Sequence, residues 1–260
     1  MTSTISVQAA IDALAPEPLR HLVLLKHLLA YPDQVTVHRA AGAEGAAIMV
    51  VLSAAVAPYD REAYPRAAIA ALVSSDDPRL TQLLMGALPR GVGIVFKLSG
   101  DADLAAVRSQ FAVDRRTAFI SFSATGTFRP VPDVRVTREP GDAAFRLFET
   151  QGHDRAWLEP LLESGKAFAA VLVRDGDPVS ACFAFENFGR VWEVGGVVTS
   201  PSHRKRGLGA SVVRATLAEL GSRGLAPRYQ AEESNEASIR LAQSVGLAPF
   251  LTIVHYVHEC

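Results

Sequence analysis

The sequence predicts an α/β protein made of two halves, each with a mixed sheet. Three apolar stretches separated by tight turns predict a strand meander between residues 167 and 198. Before residue 124, stretches with helical and with strand periodicity alternate. Between these regions, residues 126–140 are rich in proline and glycine, which is typical of a linker. We therefore expect one domain at residues 1–128 and a second at residues 133–260.

The composition excludes several classes of protein. The chain has 260 residues, of which 49% are hydrophobic and 20% charged, as in ordinary globular proteins. Its 26 basic and 27 acidic side chains give a formal net charge of −1. A chain so balanced has no global field for DNA or for an anionic membrane. We expect neither nucleic acid nor membrane among its partners.

The termini and the cysteines favour a cytoplasmic location. The first ten residues lack the basic segment and the long apolar run of a secretory signal. Only Cys182 and Cys260 are present, so neither a disulfide framework nor a cysteine metal site is expected. The histidines show no ligand-like spacing with carboxylates, and no metal site is predicted.

The elements of the first half follow from periodicity and from turn residues. They are a helix at 16–30, strands at 34–39 and 46–53, an apolar run at 67–74, a helix capped by Asp76 or Asp77 and ending near 88, a strand at 94–98, a helix at 101–109 and a strand at 116–123.

The second half has a clearer order. Helices are predicted at 142–148 and 154–162, strands at 167–174, 179–186 and 191–198, a helix ending near 223, a strand at 228–232, a helix at 235–245 and a last strand near 250–257. Within the third strand of the meander, Gly195-Gly196 favours a β-bulge that opens the strand.

A basic, glycine-containing loop joins the meander to the next helix. It reads Arg204-Lys205-Arg206-Gly207-Leu208-Gly209. A helix start has unpaired N–H groups and the positive end of the helix dipole, and glycines let a phosphate approach them closely. The pattern lacks the Gly-Lys-Ser/Thr ending of a Walker loop and the three glycines of a Rossmann fingerprint. It predicts a site for one small anionic ligand, with a solvated basic turn as the alternative.

This loop resembles the Arg/Gln-x-x-Gly-x-Gly/Ala signature of the GNAT superfamily of N-acetyltransferases. The stretch from Asn235 to Leu247 is similar to the second signature of that family, in which an asparagine opens a helix that ends in Gly-Phe or Gly-Leu. The resemblance covers about residues 133–257. It implies a GNAT acyl-CoA N-acyltransferase fold in the second half, and the element order of the first half indicates a degenerate copy of that fold. An unrelated α/β domain is the alternative for the first half.

The resemblance implies that acetyl-CoA is the cosubstrate, with its pyrophosphate on the loop and its pantetheine arm on backbone groups that follow the bulge. The cofactor-binding residues implied are Val197, Val198, Thr199, Arg204, Lys205, Arg206, Gly207, Leu208, Gly209 and Asn235. Asn235 is also predicted to cap its helix.

Glu193 is the candidate catalytic base. A carboxylate between Trp192 and Val194 in an apolar strand would be partly desolvated and therefore more basic. In several members of the family a glutamate at this place removes the proton from the amine, directly or through water. The alternative is an exposed residue on a polar strand face.

The proton donor departs from the family pattern. Many members carry a tyrosine where this chain has Ala242. Possible substitutes are Tyr256, Tyr229, Ser238 and Ser244, or no dedicated acid at all. Cys182 is expected to be a packed strand residue rather than a nucleophile.

The predicted function is transfer of an acetyl or other short acyl group from acyl-CoA to an amine. Two alternatives stay open: an amino-acid N-acyltransferase that uses a larger acyl donor, and a non-catalytic acyl-CoA sensor. The partner is expected to be a small-molecule amine or an amino acid, and a homodimer is left open.

Overall fold

A computed structural model describes residues 2–43 and 45–259, which form two compact units. The first comprises residues 1–120 and 251–260, and the second comprises residues 121–250. The predicted ranges, 1–128 and 133–260, differ from these units chiefly because residues 251–260 group with the first unit.

The first unit is a mixed sheet with helices on its faces. Its strands are β1 (Thr2–Ile5), β2 (Val35–Gly42), β3 (Gly45–Ser53), β4 (Ile69–Ser75), β5 (Ile94–Leu98), most of β6 (Asp114–Ser123) and most of β12 (Ala248–His258). Its helices are α1 (Val7–Leu14), α2 (Pro18–Ala30), α3 (Pro58–Ala63), α4 (Pro78–Met85) and α5 (Asp101–Arg108).

Strand order in the first unit is β1-β2-β3-β4-β5-β12-β6. β1 to β4 pair antiparallel in sequence, β4 and β5 pair parallel, and β12 pairs antiparallel with β5. One face packs α4 and α5 around Met49, Phe96 and Phe111, all of them buried. The N-cap of α4 is Asp77, which is one of the two predicted caps. Its carboxylate accepts a hydrogen bond from the backbone amide of Arg79 at 2.8 Å.

The second unit repeats this element order. Its strands are β7 (Val134–Thr137), β8 (Ala167–Arg174), β9 (Asp177–Phe188), β10 (Val191–Thr199) and β11 (Ala226–Glu232), with the end of β6 beside β11. Its helices are α6 (Asp142–Glu149), α7 (Arg155–Glu163), α8 (Leu208–Ser222) and α9 (Glu236–Ser244). β7 to β10 pair antiparallel in sequence, and β10 pairs parallel with β11.

Two cores hold the second unit together. α6 and α7 pack on one sheet face around Phe148, Leu158 and Phe183. α8 packs against β8, β9 and β10, and its buried Thr216 hydroxyl lies 3.0 Å from the Cys182 sulfur. Burial raises the pKa of the Cys182 thiol to about 12, so the prediction of a packed, unreactive cysteine is confirmed.

The structure corrects the predicted elements at four places. β1, α1 and α3 were not predicted, and β7 lies inside the predicted linker, where its four residues pair with β8. Short elements of this kind depend on partners elsewhere in the chain rather than on their own periodicity. Among the described residues, no helix is long and apolar enough to cross a bilayer.

Candidate functional site

The site begins with a break in the pairing of β10. Gly195 lies opposite Phe183 on β9, but the next paired residue of β10 is Val198, opposite Ala181. Gly196 and Val197 therefore form a bulge, as predicted from the two glycines. Gly196 has φ +60°, and a Cβ there would overlap the ring of Phe183, so the bulge requires glycine.

A gap between β10 and β11 follows the bulge. Their parallel pairing ends at Val194 and Tyr229, although β10 continues to Thr199 and β11 to Glu232. A cavity of about 640 Å³ occupies this region, a volume within the range of small-molecule sites. Its walls are formed by Gln151, His153, Glu193, Val194, Gly195, Gly196, Val197, Val198, Thr199, Arg204, Gly209, Tyr229, Gln230, Asn235, Ala237, Ser238 and Leu241.

The basic loop brings the N-terminus of α8 to this cavity. Gly207 is the N-cap, with φ +77° and no side-chain hydrogen bond, so the first amides of α8 keep their capacity to bind a ligand. Arg204 and Gly209 lie on the cavity wall, and the Nε of Arg204 donates to the Thr199 carbonyl at 3.2 Å. A positive helix end and an arginine thus meet at one mouth of the cavity.

The predicted cofactor-binding residues divide into two groups. Val197, Val198, Thr199, Arg204, Gly209 and Asn235 line the cavity, whereas Lys205, Arg206, Gly207 and Leu208 lie on the loop outside its wall. Lys205, Arg206 and Gly207 are exposed to solvent.

Glu193 lies on the cavity wall, but its carboxylate is not isolated. Its Oε2 accepts from Arg228 at 2.6 Å and from the Asn187 amide at 3.0 Å. The side chains of Glu193 and Arg228 are 12% and 4% exposed. The predicted desolvation is present, but sequence reasoning missed Arg228, whose charge balances the carboxylate. The pair is formed across neighbouring parallel strands, which no local pattern reveals.

The second guanidinium nitrogen of Arg228 donates to the Ser121 hydroxyl at 3.1 Å. Both hydrogen bonds to Glu193 engage Oε2, and no hydrogen bond within residues 2–43 and 45–259 engages Oε1. The ion pair therefore fixes the carboxylate and leaves one oxygen available to a ligand in the cavity.

Asn235 caps α9 as predicted, because its Oδ1 accepts from the amide of Ser238 at 3.0 Å. The Ser238 hydroxyl in turn lies 2.7 Å from the Tyr229 hydroxyl. Both hydroxyl-bearing residues line the cavity, as does Leu241. Ala242, at the position of the family tyrosine, is fully buried.

His153 and Gln151 are cavity residues that sequence reasoning missed. They lie in the turn between α6 and α7, distant in sequence from the other wall residues. The His153 ring packs edge-on against Phe183 at 5.0 Å between centroids, beneath the bulge. Burial lowers the pKa of His153, so its imidazole is neutral at neutral pH. Within the described part of the chain, no group of three His, Cys, Asp or Glu side chains could hold a metal ion.

Comparison with known proteins agrees with this geometry. Residues 134–247 match the family model described as Acetyltransferase (GNAT) family. No curated protein matches the sequence.

Solved structures with TM-scores above 0.5 share the fold of the chain at low sequence identity. A GCN5-related N-acetyltransferase from Sphaerobacter thermophilus has a TM-score of 0.62 at 14% identity and covers 100% of this chain and 95% of its own. A GCN5-related N-acetyltransferase from Kribbella flavida has a TM-score of 0.58 at 18% identity, covering 93% and 95%. A tandem GNAT protein from the clavulanic acid biosynthesis pathway has a TM-score of 0.53 at 13% identity, covering 100% and 98%.

The predicted α/β fold class with a GNAT fold is confirmed. Every residue on the cavity wall lies within the segment that matches the family model. Residues 134–247 are therefore similar to the GNAT acetyltransferase family, and the chain shares the fold of GNAT structures.

Proposed function

We propose that the second unit transfers an acetyl or other short acyl group from acyl-CoA to a small amine. The proposal rests on one observation: two features that suit acyl-CoA lie at the same cavity. The gap between β10 and β11 can admit an extended arm, and the N-terminus of α8 at its mouth can bind a phosphate group.

The donor would bind along the bulged strand. Val197, Val198 and Thr199 have no pair on β11, so this edge of β10 can face the amides of a pantetheine arm. The carbonyls of Val198 and Thr199 already accept from Ser180 and Arg204. The pyrophosphate would lie on the first amides of α8, with Arg204, Lys205 and Arg206 around it and with Gly207 and Gly209 leaving space for it. Asn235 shapes the opposite wall as the cap of α9.

Glu193 would act as the base. An amine reaches the site mostly as ammonium and must lose a proton before its lone pair can attack the thioester carbon. Because Oε2 is held by Arg228 and Asn187, Oε1 can take that proton. The nitrogen then bonds to the carbonyl carbon, and an amide among residues 197–199 binds the oxyanion. The nitrogen loses its second proton to solvent, and the C–S bond breaks to release the CoA thiolate.

The acceptor would be a small amine or an amino acid, and acetyl-CoA the donor. A larger acyl donor with an amino-acid acceptor is the alternative enzyme. The cytoplasmic location and the homodimer stay predictions from the sequence. A non-catalytic acyl-CoA sensor is favoured by the alanine at position 242, and the experiment below distinguishes it.

Calorimetric titration with CoA tests the donor site. Gly207→Asp would place a carboxylate at the helix start where phosphate belongs, so we expect CoA affinity to fall at least about tenfold, or about 1.4 kcal/mol. Gly91→Asp in the first unit is the matched control, because Gly91 has a similar φ, +75° against +77°, and equal open space around a Cβ. Its CoA affinity should match the parent.

If the Gly207→Asp variant and the parent bind CoA with equal affinity, the loop is not part of the donor site. Thiol release from acetyl-CoA with a panel of primary amines and amino acids then separates enzyme from sensor. CoA binding without thiol release for any amine would identify a sensor.

A further inference from the structure

Side chains of different chemical type reach the cavity from the two faces of the sheet. Arg228 and Tyr229 are consecutive on β11, so their side chains point to opposite faces. Arg228 binds Glu193 on one face, and the Tyr229 hydroxyl lies beside Ser238 of α9 on the other. The gap between β10 and β11 therefore has a carboxylate on one side and a phenol on the other.

Tyr229 is held in place by its surroundings. It is 4% exposed, its hydroxyl lies 2.7 Å from the Ser238 hydroxyl, and its ring packs edge-on against Phe122 at 6.4 Å between centroids. It is also the last residue of β11 that pairs with β10. Tyr229 therefore lies on the cavity wall at the point where the gap opens, beside the place proposed for the thioester. Burial raises the pKa of Tyr229, so the phenol keeps its proton at neutral pH.

The other candidate proton donors are less suitable. Position 242 has no hydroxyl and is fully buried. The Ser244 hydroxyl donates to the Leu241 carbonyl at 2.8 Å. Tyr256 belongs to the core of the first unit.

We propose that Tyr229 protonates the departing thiolate of CoA and that Ser238 is its positioning residue. The proposal rests on the proposed function. When the C–N bond has formed, the electron pair of the C–S bond moves to sulfur, and sulfur takes the proton of the Tyr229 hydroxyl. The phenolate accepts a hydrogen bond from the Ser238 hydroxyl and recovers a proton from solvent. Over one turnover the ammonium loses two protons. Glu193 takes the first and releases it to solvent, and the nitrogen of the tetrahedral intermediate loses the second to solvent. One of these replaces the proton that Tyr229 gave to sulfur, so the products are the amide, the thiol and one free proton.

Tyr229→Phe tests this assignment with hydroxylamine as acceptor. Hydroxylamine is mostly neutral at pH 7, so its attack does not require Glu193 to remove a proton first. The effect of losing the Tyr229 hydroxyl can then be measured separately from the effect of losing the base. We expect kcat to fall about 10²-fold, the low end for general acid–base catalysis because a thiolate is a fair leaving group. The KM for acetyl-CoA and the CoA affinity should stay within twofold of the parent.

Tyr256→Phe is the matched control and should keep kcat within twofold. Ser238→Ala should lower kcat about three- to tenfold, in proportion to one lost positioning hydrogen bond. In the parent, kcat should decline at alkaline pH as the phenol ionises, and Tyr229→Phe should lack that decline.

Two results would overturn the proposal: a Tyr229→Phe variant within threefold of the parent in kcat at pH 7, or one that loses CoA affinity while kcat is unchanged. An absence of thiol release by the parent with hydroxylamine and with every amine would instead refute the proposed function, and the role of Tyr229 with it.

Discussion

The two units share one order of elements and differ at the place where a coenzyme could bind. In each unit, four strands pair antiparallel in sequence and a fifth pairs parallel with the fourth, with a helix between them. In the first unit, β3 and β4 pair without a register shift, and β4 and β5 stay paired to Val73 and Leu98. In the second, β10 bulges and parts from β11.

The helix that follows the fourth strand differs as well. α8 begins after a basic loop with a glycine N-cap. α4 begins after Asp76 and Asp77, whose carboxylates would repel a phosphate, and the Asp77 carboxylate already occupies the amide of Arg79. The third residue pair of the β4–β5 ladder is Ala71 and Phe96. The third pair of the β10–β11 ladder is Glu193 and Arg228.

The order of the strands does not by itself make a coenzyme site. The proposed site also uses a bulge, a gap and an uncapped helix start, and each depends on a few residues. We infer that the first unit is a degenerate GNAT-like copy, in which these positions support packing instead.

The largest effect that we expect concerns Glu193, which has an apolar counterpart in the first unit. Glu193→Gln keeps the shape of the side chain and removes the proposed base, so kcat with an amine acceptor should fall about 10²- to 10⁴-fold. The KM for acetyl-CoA should change little. The loss should shrink at high pH, where more of the acceptor is already neutral, and turnover over a pH series measures it.

The variant also leaves Arg228 without its counter-charge, which destabilises a buried site. The double variant Glu193→Gln/Arg228→Gln removes both charges and serves as the control for folding, and its kcat should remain low. With hydroxylamine, Glu193→Gln should retain most of its activity. Turnover of an ordinary amine within about threefold of the parent at pH 7 would exclude Glu193 as the base and make His153 the next candidate.

The second effect concerns the pH dependence of stability in the first unit. Burial and the nearby Lys97 lower the pKa of His255 to about 3, and its Nδ1 lies 2.7 Å from the Tyr64 hydroxyl. The unfolded chain binds a proton here near pH 6.5 and the folded chain only near pH 3. The contribution of His255 to stability is therefore complete above pH 6.5 and is lost as the pH falls towards 3, by up to about 5 kcal/mol.

His255→Gln replaces the imidazole, which binds a proton, by an amide that does not, and the glutamine can keep a hydrogen bond to Tyr64. Its Tm should decrease less than that of the parent between pH 7.5 and pH 4.5. His153→Gln, at the cavity of the second unit, is the control, because His153 is only partly buried and its substitution should flatten the profile less. Parallel Tm profiles of the parent and His255→Gln would contradict the expected difference between the units.

The smallest effect concerns the bulge that distinguishes β10 from β4. Gly196→Ala combines a positive φ with overlap on the Phe183 ring, and we expect a loss of at least about 2 kcal/mol in the free energy of unfolding, with weaker CoA binding. Gly176→Ala has a positive φ, +87°, with no atom within 4 Å, and should cost about 1 kcal/mol. Urea unfolding measures both, and equal losses would show that Phe183 does not constrain the bulge.

The sequence was most informative where structure is local. The two glycines of the bulge, the loop before α8 and the caps Asp77 and Asn235 were predictable, because each depends on neighbouring residues. Arg228 and His153 were not predictable as site residues. The first reaches Glu193 across a parallel pair and the second reaches the cavity from a turn between helices, so only the tertiary structure brings them there.

Strand β12 has a consequence for the biosynthesis of the chain. Most of this strand lies in the first unit, between β5 and β6, although more than 120 residues separate it from β6 in sequence. A ribosome releases the N-terminal segment first, yet that segment lacks one of its strands until residues 251–258 emerge. During translation β5 has an open edge, and a fragment cut in the proline-rich stretch would keep that edge and be prone to aggregate. The second unit ends at residue 250, so all of its residues leave the ribosome before the last strand of the first unit does.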